Sequence, residues 1–203
     1  STEWQKDIDR WGAYPTSNKH NDPTYFQGRR KPIPLREENP YLEAFWRWWP
    51  ELYPKLKHFR MTGGEPLMDK NTHRVFDYIL NSLPNMDLHV DVTSNFSVVP
   101  ELFDTYLEKV KELCIGERIE HFMQYVSLDS GNPMQASYIR RGMGHHRVTT
   151  YVHRYLTQIP YRNSLTYIIT MNNLNIMGLK TLLSHILELR RKHSHTYQRV
   201  WFD

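Results

Sequence analysis

From Lys57 to the end of the chain, short runs rich in β-branched, aromatic and leucine residues alternate with longer stretches of helical period. This alternation is typical of repeated β–α units, which build a parallel sheet through helical crossovers. Such crossovers are right-handed almost without exception, so the strands are expected to run in one direction around an open or partly closed barrel. The predicted strands are residues 57–61, 88–93, 122–127, 165–170 and 199–202.

Helices are predicted between these strands, because apolar residues recur there at helical spacing. Their apolar faces are at positions 75/76/79/80/83, 103/106/107/110/113, 148/151/152/155/156/159 and 179/182/183/186/187. Upstream, a further helix is predicted to begin at the capping residue Asn39 and to end at Pro50 and Pro54. Residues 1–12 are predicted to form a short helix. Residues 13–40, rich in proline, asparagine, glycine and charge, are predicted to form an extended surface loop.

Length and composition narrow the class of protein. The 203 residues are enough for one domain with a sizeable core. No apolar run approaches the roughly 18 residues that span a bilayer, and no targeting signal is visible, which predicts a soluble, cytoplasmic protein without a membrane partner. The net charge of +4 would suit an anionic partner, yet acidic and basic residues are interspersed along most of the chain.

The only cysteine, Cys114, lies in a helical pattern and is predicted to be a small buried residue. One cysteine excludes a disulfide framework and any metal site built from cysteines of this chain alone. The chain begins with Ser1 rather than methionine, and Asp203 directly follows a strand-like run. We therefore expect the chain to be a piece of a longer protein.

Polar residues follow each of the first four predicted strands. In parallel α/β folds the ligand binds at the carboxyl ends of the strands, so these residues are the candidates for a site. The alternative is that serine, threonine, asparagine and aspartate cap the following helices, as they do in many β–α loops. The segments are Thr62-Gly63-Gly64-Glu65, Thr93-Ser94-Asn95, Ser127-Leu128-Asp129 and Thr170-Met171-Asn172.

Capping explains the glycine-rich turn Gly63-Gly64-Glu65-Pro66 poorly. Two glycines cost backbone entropy and leave the main chain open to close approach by a ligand. Glu65 is then able to accept a hydrogen bond from an ammonium group, and Pro66 fixes the turn that leads away. The turn is predicted to hold a polar ligand.

In this context the segment from Phe59 to Leu67, which contains Thr62-Gly63-Gly64-Glu65-Pro66, resembles the second-strand motif of radical S-adenosylmethionine enzymes. Further segments resemble later parts of the family pattern, in the same order along the chain. They are Thr93-Ser94-Asn95, Ser127-Leu128-Asp129, Tyr138-Ile139-Arg140 and Thr170-Met171-Asn172. The runs Glu37-Glu38-Asn39-Pro40 and Trp48-Trp49-Pro50 resemble twitch-type members from phages and marine microbes.

The resemblance implies an α/β fold with a parallel sheet, a partial (β/α)6 TIM-like barrel truncated at both ends. Residues 1–56 would be a segment after the cluster loop with the first helices, and residues 57–203 the barrel core. The Gly63-Gly64-Glu65 edge would hold the amino group of S-adenosylmethionine, with Arg140 or its neighbour Arg141 at the carboxylate. Ser127 and Asp129 would lie near the ribose. The implied ligand-binding residues are Thr62, Gly63, Gly64, Glu65, Pro66, Ser94, Asn95, Ser127, Asp129, Arg140, Thr170 and Asn172.

The family also binds a 4Fe–4S cluster through a CxxxCxxC motif, which this chain lacks. Its ligands, and the strand before them, are expected upstream of Ser1, and the auxiliary-cluster region downstream is expected to be missing too. The resemblance implies that the complete protein cleaves S-adenosylmethionine to methionine and a 5′-deoxyadenosyl radical that abstracts hydrogen. An electron donor such as flavodoxin or ferredoxin is implied, while the substrate stays open between a peptide, a nucleotide and a metabolite. This chain alone is expected to be inactive, and no catalytic residue is assigned.

Two other functions remain open from the residues. A nucleic-acid-binding module would use the basic and aromatic residues Lys19, Tyr25, Phe26, Arg29, Arg30 and Lys31. An aldolase-type barrel enzyme would hold a phosphate at the glycine turn, although the carboxylate of Glu65 would repel it. Because no carboxylate completes a set with His145, His146 and His153, these histidines are predicted to be structural or exposed.

Overall fold

The structure is a computed structural model that describes residues 10–12 and 38–203. The chain divides into two compact units, Ser1–Leu52 and Tyr53–Asp203. The helix predicted for residues 1–12 and the loop predicted for residues 13–40 lie mostly outside the described residues.

In the first unit, helix α1 spans Pro40–Leu52 and buries Trp46 and Trp49. The side chain of Asn39 accepts hydrogen bonds from two amides of the first turn, as its predicted capping role requires. The prediction that Pro50 ends the helix was wrong, because α1 continues to Leu52. Pro50 lacks the N–H that would donate to the carbonyl of Trp46, and its ring crowds that turn, yet the helix continues for two residues beyond it.

The second unit is an alternating β–α chain. Its elements are β1 (His58–Met61), α2 (Lys70–Asn81), β2 (Asn85–Ser94), α3 (Pro100–Ile115), β3 (Ile119–Ser127), α4 (Pro133–Ile139), α5 (His145–Gln158), β4 (Asn163–Ile168), α6 (Ile176–His193) and β5 (Val200–Phe202). The strands form one sheet in the order β1-β2-β3-β4-β5, and every neighbouring pair is parallel. The predicted strands, the helices between them and the parallel sheet are confirmed.

The short helix α4 was not predicted, although its start has a recognisable signal. Asn132 precedes Pro133, the side chain of Asn132 accepts hydrogen bonds from two amides of the first turn, and proline occupies the first helical position. This helix follows the third strand and ends at Arg140, one of the candidate site residues.

Three helices contact the same face of the sheet. Phe122 on β3 contacts Phe76 of α2 and Tyr106 of α3, with ring centroids 6.0 and 6.4 Å apart. Tyr167 on β4 contacts His185 of α6 at 6.2 Å. The register places Phe122 and Tyr167 on the same face of their strands. Aromatic and aliphatic side chains on this face are fully buried and form the core.

The opposite face of the sheet carries polar side chains, and we refer to it as the polar face. His58 and Arg60 on β1 are exposed there, and Thr93 and Tyr125 are half-buried. On β1 to β4 the polar face includes His58, Arg60, His89, Asp91, Thr93, His121, Tyr125, Ser127, Ser164 and Thr166, together with the apolar residues Met123 and Ile168. A sequential strand order with these helices on one face is compatible with a partial α/β barrel.

Cys114 lies in α3 and is fully buried, as predicted. Burial raises the pKa of its thiol to about 12, so the group stays protonated at neutral pH. Within the described residues, none of the helices combines the length and the apolar character needed to cross a membrane.

Candidate functional site

The predicted site residues lie at the carboxyl edge of the sheet, where the first four strands end at Met61, Ser94, Ser127 and Ile168. In a parallel sheet these ends lie along one edge, so the loops that follow them become neighbours. Hydrogen bonds join them into two groups. One group links the ends of β1 and β2 through Glu65, and the other links the ends of β3 and β4 through Asp129.

The turn after β1 leaves its main chain open. Gly63 has a φ of 90° and Gly64 a φ of 57°, a region that L-residues with side chains rarely adopt. Both glycines are exposed, and a Cβ added at either position would have no neighbouring atom within 4 Å. No described residue forms a hydrogen bond with the main chain of either glycine. The space beside the turn is therefore accessible to a ligand.

Hydrogen bonds to Glu65 connect this turn to the end of the neighbouring strand, β2. Its Oε1 accepts hydrogen bonds from Ser94 Oγ at 2.6 Å and from the amide of Leu67 at 3.2 Å, and its Oε2 accepts one from the amide of Asn95 at 3.2 Å. The Leu67 bond also caps the 3-10 turn Pro66–Met68. A carboxylate offers about four acceptor positions, so at most about one is left for a ligand. We call this arrangement the Glu65 node.

The loop after β2 is held in an unusual backbone conformation. Phe96 has a φ of 55° although it is a bulky, fully buried residue. Its amide donates to Ser94 Oγ at 2.9 Å, and its ring packs against Phe103 at 5.2 Å between centroids. Asn95 makes a similar turn with the amide of Ser97, at 2.8 Å. These contacts fix the main chain beside Glu65 in one conformation.

Asp129 is the centre of the second group. It is buried, and its two carboxylate oxygens accept from Arg140 Nε at 2.6 Å and Arg140 Nη2 at 3.2 Å. The amide of Thr170 donates to the same carboxylate at 2.8 Å. This paired salt bridge joins the end of β3, the end of β4 and the end of α4. We call it the Asp129 node.

The Asp129 node bears on two predictions. Asp129 was predicted near a ribose and Arg140 at a ligand carboxylate, and the structure pairs the two side chains with each other. Arg140 retains three N–H donors that do not point at Asp129, since a guanidinium carries five. Both ligand roles stay predictions. Each of the two side chains already has a charged partner within the protein.

The segment after β4 is explained best by local turn formation. Asn172 accepts from the amide of Leu174 at 2.8 Å and donates to the Thr170 carbonyl at 3.3 Å. The fully buried Asn175, which the sequence reasoning missed, accepts from the Asn172 amide and donates to the same carbonyl at 2.6 Å. These bonds follow the pattern of asparagine-stabilised turns. The helix that follows, α6, has Asn175 at its N-cap without a side-chain capping bond, so these side chains stabilise the turn rather than cap the helix, and the ligand roles of Thr170 and Asn172 stay predictions.

The remaining candidates occupy varied positions. Thr62 is exposed beside the glycine turn, and Pro66 is buried as the first residue of the 3-10 turn. Ser127 is half-buried at the end of β3, and no described residue forms a hydrogen bond with its side chain. The residues proposed for nucleic-acid binding, Lys19, Tyr25, Phe26, Arg29, Arg30 and Lys31, lie outside the described residues.

Arg60 is a site residue that the sequence reasoning missed. Its guanidinium lies over the ring of Tyr125, 4.4 Å from the centroid, and donates to Thr93 Oγ1 at 3.2 Å. It was missed because the candidates were taken from the segments after the strands and from Tyr138-Ile139-Arg140, whereas Arg60 lies within β1. The alternation of Phe59, Arg60 and Met61 was the available signal, since it places a charge on the face opposite the core.

The comparison with known proteins adds no relative. The sequence matches no protein-family model, and no curated protein matches it. The proposed function therefore rests on the residues and the geometry of the site.

The residues present fit a small polar ligand better than a metal cluster. The open main chain of the glycine turn and the polar side chains along the edge suit a molecule with ammonium and hydroxyl groups. Among the described parts of the chain, no group of three or more histidine, cysteine, aspartate or glutamate residues is placed to hold a metal ion. Cys114 is buried with a protonated thiol, so it does not provide a thiolate ligand for a cluster.

Proposed function

We propose that this chain is the S-adenosylmethionine-binding part of a radical S-adenosylmethionine enzyme, within a partial (β/α)6 barrel. The observation that carries the proposal is the turn after β1. Two consecutive exposed glycines with positive φ leave their main chain open, and Glu65 immediately beyond them locks the turn to the next strand. The sequence resemblance is centred on the same residues.

Within this proposal the ligand amino group lies against the glycine turn. The ammonium group donates to main-chain carbonyl oxygens of Gly63 and Gly64 and to the remaining acceptor position of Glu65. The carboxylate of Glu65 contributes in a second way, because it holds Ser94 and the amide of Asn95 beside the turn. Ser127, whose hydroxyl has no hydrogen-bond partner among the described residues, is available to the ribose.

The cluster of such an enzyme would have to be held by residues outside this chain, because the sequence contains one cysteine and that cysteine is buried. In the complete protein S-adenosylmethionine would be the source of the 5′-deoxyadenosyl radical, with flavodoxin or ferredoxin as the electron donor. The substrate is a peptide, a nucleotide or a metabolite. The part of the chain described here contributes binding and orientation of S-adenosylmethionine.

The test is a binding measurement on the complete protein encoded by the full reading frame. Glu65→Ala should weaken S-adenosylmethionine binding about tenfold or more, because it removes a charged acceptor and frees the neighbouring strand end. Gly64→Val should weaken binding as well, since its side chain would occupy the open space beside the turn. Affinity is measured by isothermal titration calorimetry.

The matched control is Glu112→Ala, which removes an exposed carboxylate near the end of α3, at the end of the sheet opposite the carboxyl edge. It should bind S-adenosylmethionine like the unchanged protein. Unchanged affinity in both Glu65→Ala and Gly64→Val would contradict the proposal. So would an intact reading frame that has no CxxxCxxC motif upstream of Ser1.

A further inference from the structure

The guanidinium of Arg60 lies close to the carboxyl edge although its backbone does not. In the β1–β2 register Arg60 pairs with Asp91, but its side chain contacts Thr93 and Tyr125, which pair with each other farther along the sheet. A shift of two residues along a strand is about 7 Å toward the carboxyl edge. Thr93 is followed by Ser94, which donates to Glu65. The positive charge therefore lies on the polar face near the carboxyl edge, whereas the side chain of Ser94 points to the opposite face of the sheet.

The side chain of Arg60 is held in place by neutral groups. The ring of Tyr125 supports the flat face of the guanidinium, and Thr93 Oγ1 accepts one of its hydrogen bonds. A guanidinium carries five N–H donors, so four are left after the bond to Thr93. These donors lie in the plane of the guanidinium, and stacking on the ring of Tyr125 does not block them from binding another group. Arg60 is exposed, so these donors are accessible.

The carboxylates around Arg60 are already committed to other partners. Asp91, its partner in register, accepts from His58 Nε2 at 2.7 Å if that nitrogen is protonated. Glu65 accepts three hydrogen bonds, and Asp129 is paired with Arg140. Of the carboxylates in the described residues, none forms an ion pair with Arg60. Arg60 is thus an oriented cation that no acidic side chain neutralises.

We propose that Arg60 binds an anionic group, a carboxylate or a phosphate, of a molecule held at the carboxyl edge of the sheet. The proposal deepens the function proposed above and rests on it for the identity of the site. The anion has two possible sources, the carboxylate of S-adenosylmethionine or an acidic group of the substrate. Arg140 was the earlier candidate for this role, but one edge of its guanidinium is occupied by Asp129.

The experiment follows the Nε–Hε signal of Arg60 by NMR in the ¹⁵N-labelled 203-residue chain. The signal is assigned by its loss in Arg60→Lys. Sodium phosphate and L-methionine are titrated separately at constant ionic strength, with 5′-methylthioadenosine, which has neither anion, as the third probe. We expect a saturable shift with phosphate or methionine and none with 5′-methylthioadenosine. Arg191, an exposed residue in the last turn of α6, should show no saturable shift.

Two variants test whether anion binding depends on the ring of Tyr125 and on the planar guanidinium of Arg60. Tyr125→Leu keeps Arg60 and its bond to Thr93 but removes the ring, and should weaken anion binding about threefold or more. Arg60→Lys keeps the charge but not the planar donors, and should weaken it about tenfold, read from backbone amide shifts around Thr93. The backbone amide spectra show directly whether each variant is folded, and either folded variant is sufficient for the test.

A shift with methionine alone supports the proposal and identifies the carboxylate of S-adenosylmethionine as the source. A shift with phosphate alone supports it and identifies an acidic substrate. The proposal is overturned if neither anion gives a saturable shift, or if Arg191 responds equally. The two proposals fail separately, because Arg60 can bind an anion even if Glu65→Ala leaves S-adenosylmethionine affinity unchanged in the complete protein.

Discussion

The Glu65 node and the Asp129 node are built on the same plan with different partners. In each, a carboxylate at the end of one strand accepts a main-chain hydrogen bond from the residues that follow the next strand. Asp129 is buried and has a charged partner, Arg140. Glu65 is half-buried, has only neutral donors and lies beside two exposed glycines.

The difference indicates which part of the carboxyl edge is structural and which part is available to a ligand. A buried carboxylate needs a positive partner, and at Asp129 the protein itself provides it. At Glu65 the protein leaves one acceptor position and an open main chain, and Arg60, on the polar face of β1, has no acidic partner among the described residues. The glycine turn and Arg60 are exposed and accessible to a ligand.

The largest effect on stability is expected from Asp129→Asn. The substitution leaves the Arg140 guanidinium without its charged partner, which should lower the free energy of unfolding by about 3 kcal/mol. Urea denaturation followed by circular dichroism measures the change. Arg140→Gln in the Asp129→Asn background should cost little more, because the interaction is already lost. If the Asp129→Asn protein had the same urea midpoint as the unchanged protein, the salt bridge would not contribute to stability.

A second comparison uses a glycine from each half of the edge. A Cβ at Gly131 would overlap the main-chain nitrogen of Leu182 in α6, so Gly131→Ala should lower the free energy of unfolding by about 2–3 kcal/mol. Gly64→Ala meets no neighbouring atom and suffers only from its φ of 57°, which costs about 1 kcal/mol. Thermal unfolding of both variants gives the order. The reverse order would mean that the turn after β1 is packed rather than open.

A stability effect as small as that of Gly64→Ala is expected from Glu65→Gln. The amide keeps an oxygen for Ser94 and Leu67, but its NH₂ group would face the amide of Asn95. The donors at this node are neutral and the site is half-buried, so the loss should be about 1 kcal/mol in urea denaturation. A loss as large as that of Asp129→Asn would remove the distinction between the two nodes.

Much of the fold could be predicted from the sequence because the signals are local. Runs of β-branched, aromatic and leucine residues located the strands of the sheet, and 3.6-residue periodicity located the helices between them. The helix α4 was overlooked although Asn132 and Pro133 mark its start. Pro50 was given too much weight as a helix terminator, since α1 contains it and continues to Leu52.

The candidate site was predictable only in part. The glycine turn was identified from the sequence alone, because consecutive glycines after a strand permit positive φ and leave the main chain uncovered. The pairing of Asp129 with Arg140, the buried role of Asn175 and the stacking of Arg60 on Tyr125 were not predicted. The first and the last join residues from different elements, and Asn175 looks like any other turn residue in the sequence.

The sequence by itself determined that this protein is an alternating β–α chain with polar residues at its strand ends, because hydrophobic periodicity and turn chemistry act over a few residues. Only the tertiary structure decided which polar groups are neutralised internally and which are left for a ligand. That outcome depends on strand register and on the direction of long side chains, which bring Arg140 to Asp129 and Arg60 to Tyr125. Charge complementarity at the carboxyl edge is a property of those three-dimensional neighbours.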